Sequence, residues 1–165
     1  MNQHRLVAQA RFGTPLGPVT VAATDTGLAG LWFDGQAHHP GPLATPVDPA
    51  HPVLARAQRE LAAYWLDATT TFTVPLDVAG TVFQQRVWAA LRAIRPGATS
   101  TYAAIAASAG SRAAVRAAGG AIGRNPVAII VPCHRVLGGD GNLTGYAGGI
   151  DRKRALLERE GALPR

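Results

Sequence analysis

The apolar residues of this chain change their spacing near Ala79-Gly80, and that change divides what the sequence can build. Before it, short runs at Arg5–Arg11, Val19–Ala23 and Leu28–Phe33 are bounded by Gly13-Thr14-Pro15, Thr24-Asp25-Thr26-Gly27 and Asp34-Gly35. Runs of that length between turn residues predict a β-hairpin or meander. Prolines at 40, 42, 46 and 49 make 35–50 an irregular loop. Pro52 fits the first turn of a helix through Val53, Leu54, Leu61, Tyr64 and Trp65. Phe72–Val78 reads as one more strand, which Pro75 confines to a sheet edge. Beyond the boundary, Phe83, Val87, Leu91 and Ile94 recur at spacings of four, four and three, a helical period that Pro96-Gly97 ends. Thr99 or Ser100 can cap a short helix through Tyr102, Ile105 and Ala106, and Ser111 a third one from Arg112 to about Ile122. Val127-Ala128-Ile129-Ile130-Val131 reads as a buried strand stopped by Pro132, and Asp151–Glu160 as a last helix ending at Gly161. The expectation is an α/β protein with two domains, residues 1–80 and 81–165, the second mostly helical.

Charge follows the same division. Residues 1–80 hold four arginines against six carboxylates, a net of −2, whereas 81–165 hold twelve Lys and Arg against four carboxylates, a net of +8. A basic half can be nothing more than a solvated surface, but such asymmetry in a compact domain favours a polyanionic partner, nucleic acid first. Hydrophobic residues at 47% and charged ones at 16% exclude a disordered chain. No apolar stretch approaches the roughly 20 residues that span a bilayer. The segment MNQHRLVAQARFG lacks the apolar core of a signal peptide. A single cysteine forms no internal disulfide, so the expected location is cytoplasmic. His38, His39 and His51 have no cysteine or spaced acidic set beside them and read as loop histidines, not metal ligands. The abundance of Ala, Arg and Gly, with Lys153 the lone lysine, reads as biased codon usage and carries little functional weight.

That single cysteine, Cys133, stands in Ile129-Ile130-Val131-Pro132-Cys133-His134-Arg135-Val136. A free cysteine is commonly a buried structural residue. Three neighbours point instead to chemistry. Pro132 ends the apolar run, so the thiol lies at an exit that can line a cleft. His134 and Arg135 supply proton-accepting and cationic groups that favour thiolate. Asn125 can stabilise a tight turn and the thiol together. Adjacent side chains diverge, so His134 reaches the sulfur through a bridging water rather than directly. Its other nitrogen needs an orienting partner, for which Glu160 is the candidate. Otherwise Glu160 is a solvated carboxylate at the unfavourable end of a helix dipole.

Two short helices about a glycine turn make a helix-turn-helix candidate. Sequence-specific readers carry Asn, Gln, Arg or Glu toward base edges. The second helix, RAAVRAAGGAI, offers Arg112, Arg116 and small residues such as Ala117. It can approach a groove closely and insert Arg116, yet discriminate little sequence; alternatively its small residues only pack it against its neighbour.

Asn125-Pro126, Val131-Pro132-Cys133-His134-Arg135-Val136, Gly145-Tyr146-Ala147-Gly148-Gly149 and Leu156-Leu157-Glu158-Arg159-Glu160-Gly161 resemble the methylated-DNA–protein-cysteine methyltransferases, the O6-alkylguanine-DNA alkyltransferases. The likeness covers about residues 81–162; residues 1–80 resemble in outline a small ribonuclease H-like α/β domain. It implies a winged-helix-like helix-turn-helix that enters the minor groove of double-stranded DNA without strong sequence specificity. It also implies a monomer that needs no cofactor and no membrane; some relatives bind a structural zinc in the N-terminal domain, which this chain, with no cysteine there, is not expected to hold. The implied reaction is stoichiometric DNA repair. Cys133 takes the alkyl group from O6 of a flipped guanine and keeps it, with O4-alkylthymine a further candidate substrate. His134 takes the thiol proton through a water, Glu160 orients His134, and Asn125 braces the loop. Arg116 fills the space of the flipped base, with Arg112, Ala117 and Arg135 also at the DNA. Tyr102 helps rotate the nucleotide and protonates the departing guanine; Tyr146, Val131 and Val136 complete the pocket. Ala147 stands where some relatives carry a hydroxyl, so one pocket hydrogen bond is expected to be missing.

Three other readings fit less well. A non-catalytic lesion-binding relative replaces the cysteine that is present here. A Cys-His hydrolase needs a base facing the thiol. A sequence-specific regulator needs a richer recognition helix.

Overall fold

The structure, a computed structural model, describes residues 5–163. The chain divides into two compact units, the first ending at Ala79 and the second beginning at Gly80.

In the first unit β1 (Ala8–Phe12), β2 (Val19–Ala23) and β3 (Leu28–Phe33) form an antiparallel meander in chain order. Ala10 lies opposite Val21 and Val21 opposite Leu31. Helix α1 (Pro52–Leu66) packs on this sheet with Leu54, Ala57, Leu61 and Tyr64, spaced three, four and three, all buried. Proline stands at its first position, and the His51 ring accepts a hydrogen bond from the Val53 N–H. Both sheet edges are covered, β1 by a parallel bridge from Gln9 to Val47 and β3 by one from Leu28 to Leu76. The strand expected over Phe72–Val78 is thus reduced to that one bridge.

The second unit is mostly helical: α2 (Val82–Arg92), α3 (Tyr102–Ser108), α4 (Val115–Gly123) and α5 (Ile150–Arg159). A capping box starts α2, in which the Thr81 hydroxyl accepts from the Gln84 N–H and the Gln84 side chain accepts from the Thr81 N–H. Val87, Trp88 and Leu91 face inward, and the Trp88 indole N–H donates to the Ala121 carbonyl at 2.9 Å, joining α2 to α4. Helices α2, α3 and α4 pack on one another. A two-residue parallel pairing of β4 (Ser100–Thr101) with β5 (Val136–Leu137) ties the start of α3 to the segment after Cys133.

Three local expectations need correction. The cap of α3 is Thr101, whose hydroxyl accepts from the Ala104 N–H, rather than Thr99 or Ser100, because Ser100 and Thr101 are drawn into β4. Helix α4 begins at Val115 behind Ala114, which has no side-chain acceptor; Ser111 instead takes the Ala114 N–H on its backbone carbonyl, so Arg112 lies in the turn before the helix. The run Val127–Val131 is not a buried strand: Val127 makes a single bridge, Ala128, Ile129 and Ile130 turn, and Val131 bends, for reasons that lie in the site itself.

Candidate active site

Asn125 organises the loop ahead of the thiol. Its Oδ1 accepts from the Val127 N–H at 2.9 Å, and its Nδ2 donates to the Val131 carbonyl at 2.7 Å and to Cys133 Sγ at 3.2 Å. The Val131 N–H bonds the Val127 carbonyl and the Cys133 N–H the Val131 carbonyl. The Val127, Val131 and Cys133 backbone groups named here are therefore bonded within the loop rather than to a neighbouring strand. The closure holds Ile129 at φ 70, a left-handed conformation that a β-branched residue rarely adopts. Such a residue costs about 1–3 kcal/mol and persists only where its surroundings over-determine it. Ile129 is fully buried.

Cys133, His134 and Arg135 then form one turn of 3-10 helix after Pro132. With three residues per turn, successive side chains point about 120° apart. The thiol turns to Asn125, while His134 and Arg135 both meet Glu160, the C-cap of α5. His134 Nε2 lies 2.7 Å from Glu160 Oε1. The Arg135 guanidinium donates from Nε to Oε2 and from Nη2 to Oε1, both at 2.9 Å, and from Nη1 to the Ile94 carbonyl at 2.6 Å. His134 and the Glu160 side chain are fully buried, and His134 Nδ1 has no hydrogen bond to the protein.

Arg135 is a correction. Expected as an exposed cation, it is 6% exposed, and its guanidinium is divided between Glu160 and the Ile94 carbonyl just beyond α2. The electrostatics differ from expectation too. Burial pushes the Cys133 thiol up from its ordinary value, opposed by the Asn125 hydrogen bond and the charge of Lys153, so the resting sulfur is protonated. The groups that favour thiolate here are Asn125, Lys153 and the Cys133 backbone N–H. Burial also pushes His134 down, against the pull of Glu160, which leaves a neutral ring able to accept a proton. Burial works to raise Glu160, but the hydrogen bonds and charges of His134 and Arg135 prevail and hold it at about 2. With Glu160 ionised, the His134 proton belongs on Nε2 and the lone pair on Nδ1.

Lys153 was missed. It is 1% exposed on α5, and its Nζ donates to the Val136 carbonyl at 2.6 Å and the Thr144 carbonyl at 3.2 Å. The signal was available: Lys153, Leu156 and Leu157 are spaced three and four along one helical face, a lysine in a buried row. Helix α5 starts from Gly149 at φ 93, a conformation glycine adopts without strain.

The remaining expected residues distribute as follows. Tyr102 opens α3, and its Oη is 2.8 Å from Thr144 Oγ1. The Tyr146 ring lies so close to Gly148 that a Cβ there would sit 2.7 Å from it. Val131 and Val136 are fully buried, the Val131 carbonyl accepting from the Cys133 N–H and the Val136 N–H donating to the Cys133 carbonyl. Arg116 and Ala117 are exposed in the first turn of α4, with Arg112 exposed just before it. Among the described residues no group of three His, Cys, Asp or Glu side chains gathers as a metal set. No helix among them is long and apolar enough to cross a membrane.

Comparison with known proteins agrees with this geometry. Residues 82–162 match the model of the 6-O-methylguanine DNA methyltransferase DNA binding domain, and residues 10–78 that of the ribonuclease-like domain of the same proteins. The chain is 48% identical over 147 residues to the methylated-DNA–protein-cysteine methyltransferase of Mycobacterium tuberculosis, covering 89% of this chain and 88% of that one. It is 43% identical over 154 residues to the Methanosarcina acetivorans protein of the same name, covering 93% and 97%. A crystal structure of Mycobacterium tuberculosis OGT in complex with DNA superposes with a TM-score of 0.85 at 46% identity, covering 94% of each chain. The chain belongs to the methylated-DNA–protein-cysteine methyltransferase family.

Proposed function

We propose that this protein repairs O6-alkylguanine in double-stranded DNA by moving the alkyl group onto its own Cys133. One observation carries the reading: a buried thiol held by Asn125 stands beside a neutral His134 whose Nε2 is locked to Glu160 and whose Nδ1 is open. That nitrogen takes the thiol proton through a bridging water, because neighbours on a 3-10 turn diverge. The sulfur then bonds to the alkyl carbon as the carbon–O6 bond breaks, and the departing guanine receives a proton from Tyr102. Asn125 and the buried Lys153 ammonium stabilise the transient thiolate. The product thioether offers water no carbonyl to attack and no good leaving group, so each molecule acts once.

Helices α3 and α4 serve as a helix-turn-helix in the minor groove. The alanine-rich first turn of α4 permits close approach, and Arg116 replaces the extruded base. Extrusion costs a few kcal/mol, least for a weakly paired, damaged base. Tyr146, Val131, Val136 and Tyr102 form the pocket. Residues 1–80 serve as the ribonuclease H-like domain, one residue longer than the first compact unit, and residues 81–165 as the catalytic one. The protein acts as a monomer in the cytoplasm.

The test is intact mass after incubation with a duplex carrying one O6-methylguanine. Wild type is expected to gain one methyl per molecule and Cys133→Ala none. An unchanged wild-type mass, with binding to the lesion retained, would leave a damage-recognition protein and remove the transferase reading.

A further inference from the structure

One polar contact in the second unit belongs to none of the roles above. Thr144 Oγ1 lies 2.8 Å from Tyr102 Oη, joining the first residue of α3 to the loop that carries Tyr146. Thr144 is itself held on two further sides. Its carbonyl accepts from Lys153 Nζ at 3.2 Å, and its Cγ2 sits over Gly138 so closely that a Cβ there would be 3.1 Å away. Lys153 in turn interacts electrostatically with the Cys133 sulfur. One residue thus touches both the phenol and the ammonium that supports the thiol.

We propose that Thr144 is a positioning residue for alkyl transfer, its hydroxyl holding the Tyr102 phenol so that the phenolic proton faces the departing guanine. This rests on the transferase reading and adds to it a residue that acts through Tyr102. The two hydroxyls can share their hydrogen bond in either direction, but only one leaves Tyr102 able to act. If Thr144 donates, the Tyr102 proton stays free. The other acceptor near Oη is the Gly145 carbonyl at 3.5 Å, at the outer limit of a hydrogen bond, so it surrenders that proton easily to a guanine in the pocket. Clamped by Lys153 and Gly138, Thr144 keeps the acid in register with the sulfur on the far side of the scissile bond. A displaced acid slows transfer without loosening the DNA, since the cations proposed to meet the DNA, Arg112 and Arg116, stand just before and at the exposed start of α4.

The experiment is single-turnover methyl transfer from the O6-methylguanine duplex, with DNA affinity measured separately. It uses Thr144→Val, Thr144→Ser, Tyr102→Phe and the Tyr102→Phe/Thr144→Val pair. Thr144→Val is expected to slow the transfer step about fivefold, the worth of one hydrogen bond, with Kd unchanged. Thr144→Ser, which returns the hydroxyl, restores the rate. Added to Tyr102→Phe, Thr144→Val is expected to have no further effect. Wild-type speed in Thr144→Val overturns the inference, as does the same fivefold loss in the Tyr102→Phe background, or a loss confined to Kd. A wild-type protein that transfers no methyl overturns the transferase reading itself, whatever Thr144 does.

Discussion

Two glutamates, one in each unit, look alike by charge and teach different things. Glu60 of α1 accepts the Thr73 N–H at 2.7 Å and the Val74 N–H at 2.9 Å on one oxygen, with the Thr73 hydroxyl and Arg56 Nε on the other. Burial works to raise its pKa, but those bonds hold it below the ordinary value. Glu160 is likewise held low by a histidine and an arginine. A depressed carboxyl therefore marks a satisfied network, not a reactive site. The two differ one bond further out. The partners of Glu60 are backbone amides, a hydroxyl that bonds back to Arg56, and Arg56 itself. Among those of Glu160 is a ring with a second nitrogen left open in the interior. Glu60 pins α1 to the segment that follows it; Glu160 orients something that can still act.

The sharpest break of that comparison is to neutralise each in turn. Glu160→Gln is expected to lower the single-turnover transfer rate about 100-fold, on the scale of a general base put in the wrong tautomer. Glu60→Gln is expected to keep transfer within about twofold while costing about 1–2 kcal/mol in urea unfolding. Because Glu160→Gln also strands a buried guanidinium, its rate is read on protein shown to be folded by circular dichroism. Equal loss of transfer in both variants would end the distinction.

Arg135 sharpens it at the next level down. As a buried partner of Glu160, Arg135→Met is expected to slow transfer about tenfold and destabilise by about 3 kcal/mol. The salt dependence of DNA affinity stays as in wild type. Arg116→Ala, at the exposed start of α4, is expected to flatten that dependence by about one unit of slope. A flatter slope in Arg135→Met would return Arg135 to the DNA surface.

What the sequence could reveal follows from how local each cause is. The meander, α1 and α2 were legible because turn residues and apolar spacing act within a few residues. Cys133, His134, Asn125 and Glu160 stood out because their residue types suit one chemistry. The run Val127–Val131 misled because β-branched residues favour strands, whereas one asparagine side chain took up the backbone groups a strand would have paired. Arg135 and Lys153 misled for a shared reason. Cations are expected on the surface unless a partner lies inward, and their partners Glu160, Ile94, Val136 and Thr144 are distant in sequence. Thr144 gave no sequence signal, since its partner Tyr102 is 42 positions away.

The smallest predicted effect separates the two units by pH. His134 is held neutral, its folded pKa pushed below 6.5 by burial. Below that value the unfolded chain takes up a proton that the folded ring refuses, so stability in the second unit falls as pH drops through 6.5, by up to about 1.4 kcal/mol per pH unit. Glu160, lowered to about 2, adds stability that is complete above 4.5 and is lost as pH falls from there toward 2, about 3 kcal/mol in all. Glu60 acts in the same direction, its contribution lost only below about 4.5. Peptide-resolved hydrogen exchange on the full chain, corrected for intrinsic rates, is expected to show protection in the second unit declining between pH 6.5 and 5. Glu60 contributes no such decline to the first unit over that range. Transfer over the same interval is expected to hold within about twofold, because the ring proposed to accept the proton is still neutral where a solvent-exposed histidine would be charged. A transfer rate that halves at pH 6.5 would mean that Glu160 outweighs burial at His134, and that the base of this site behaves like one in water.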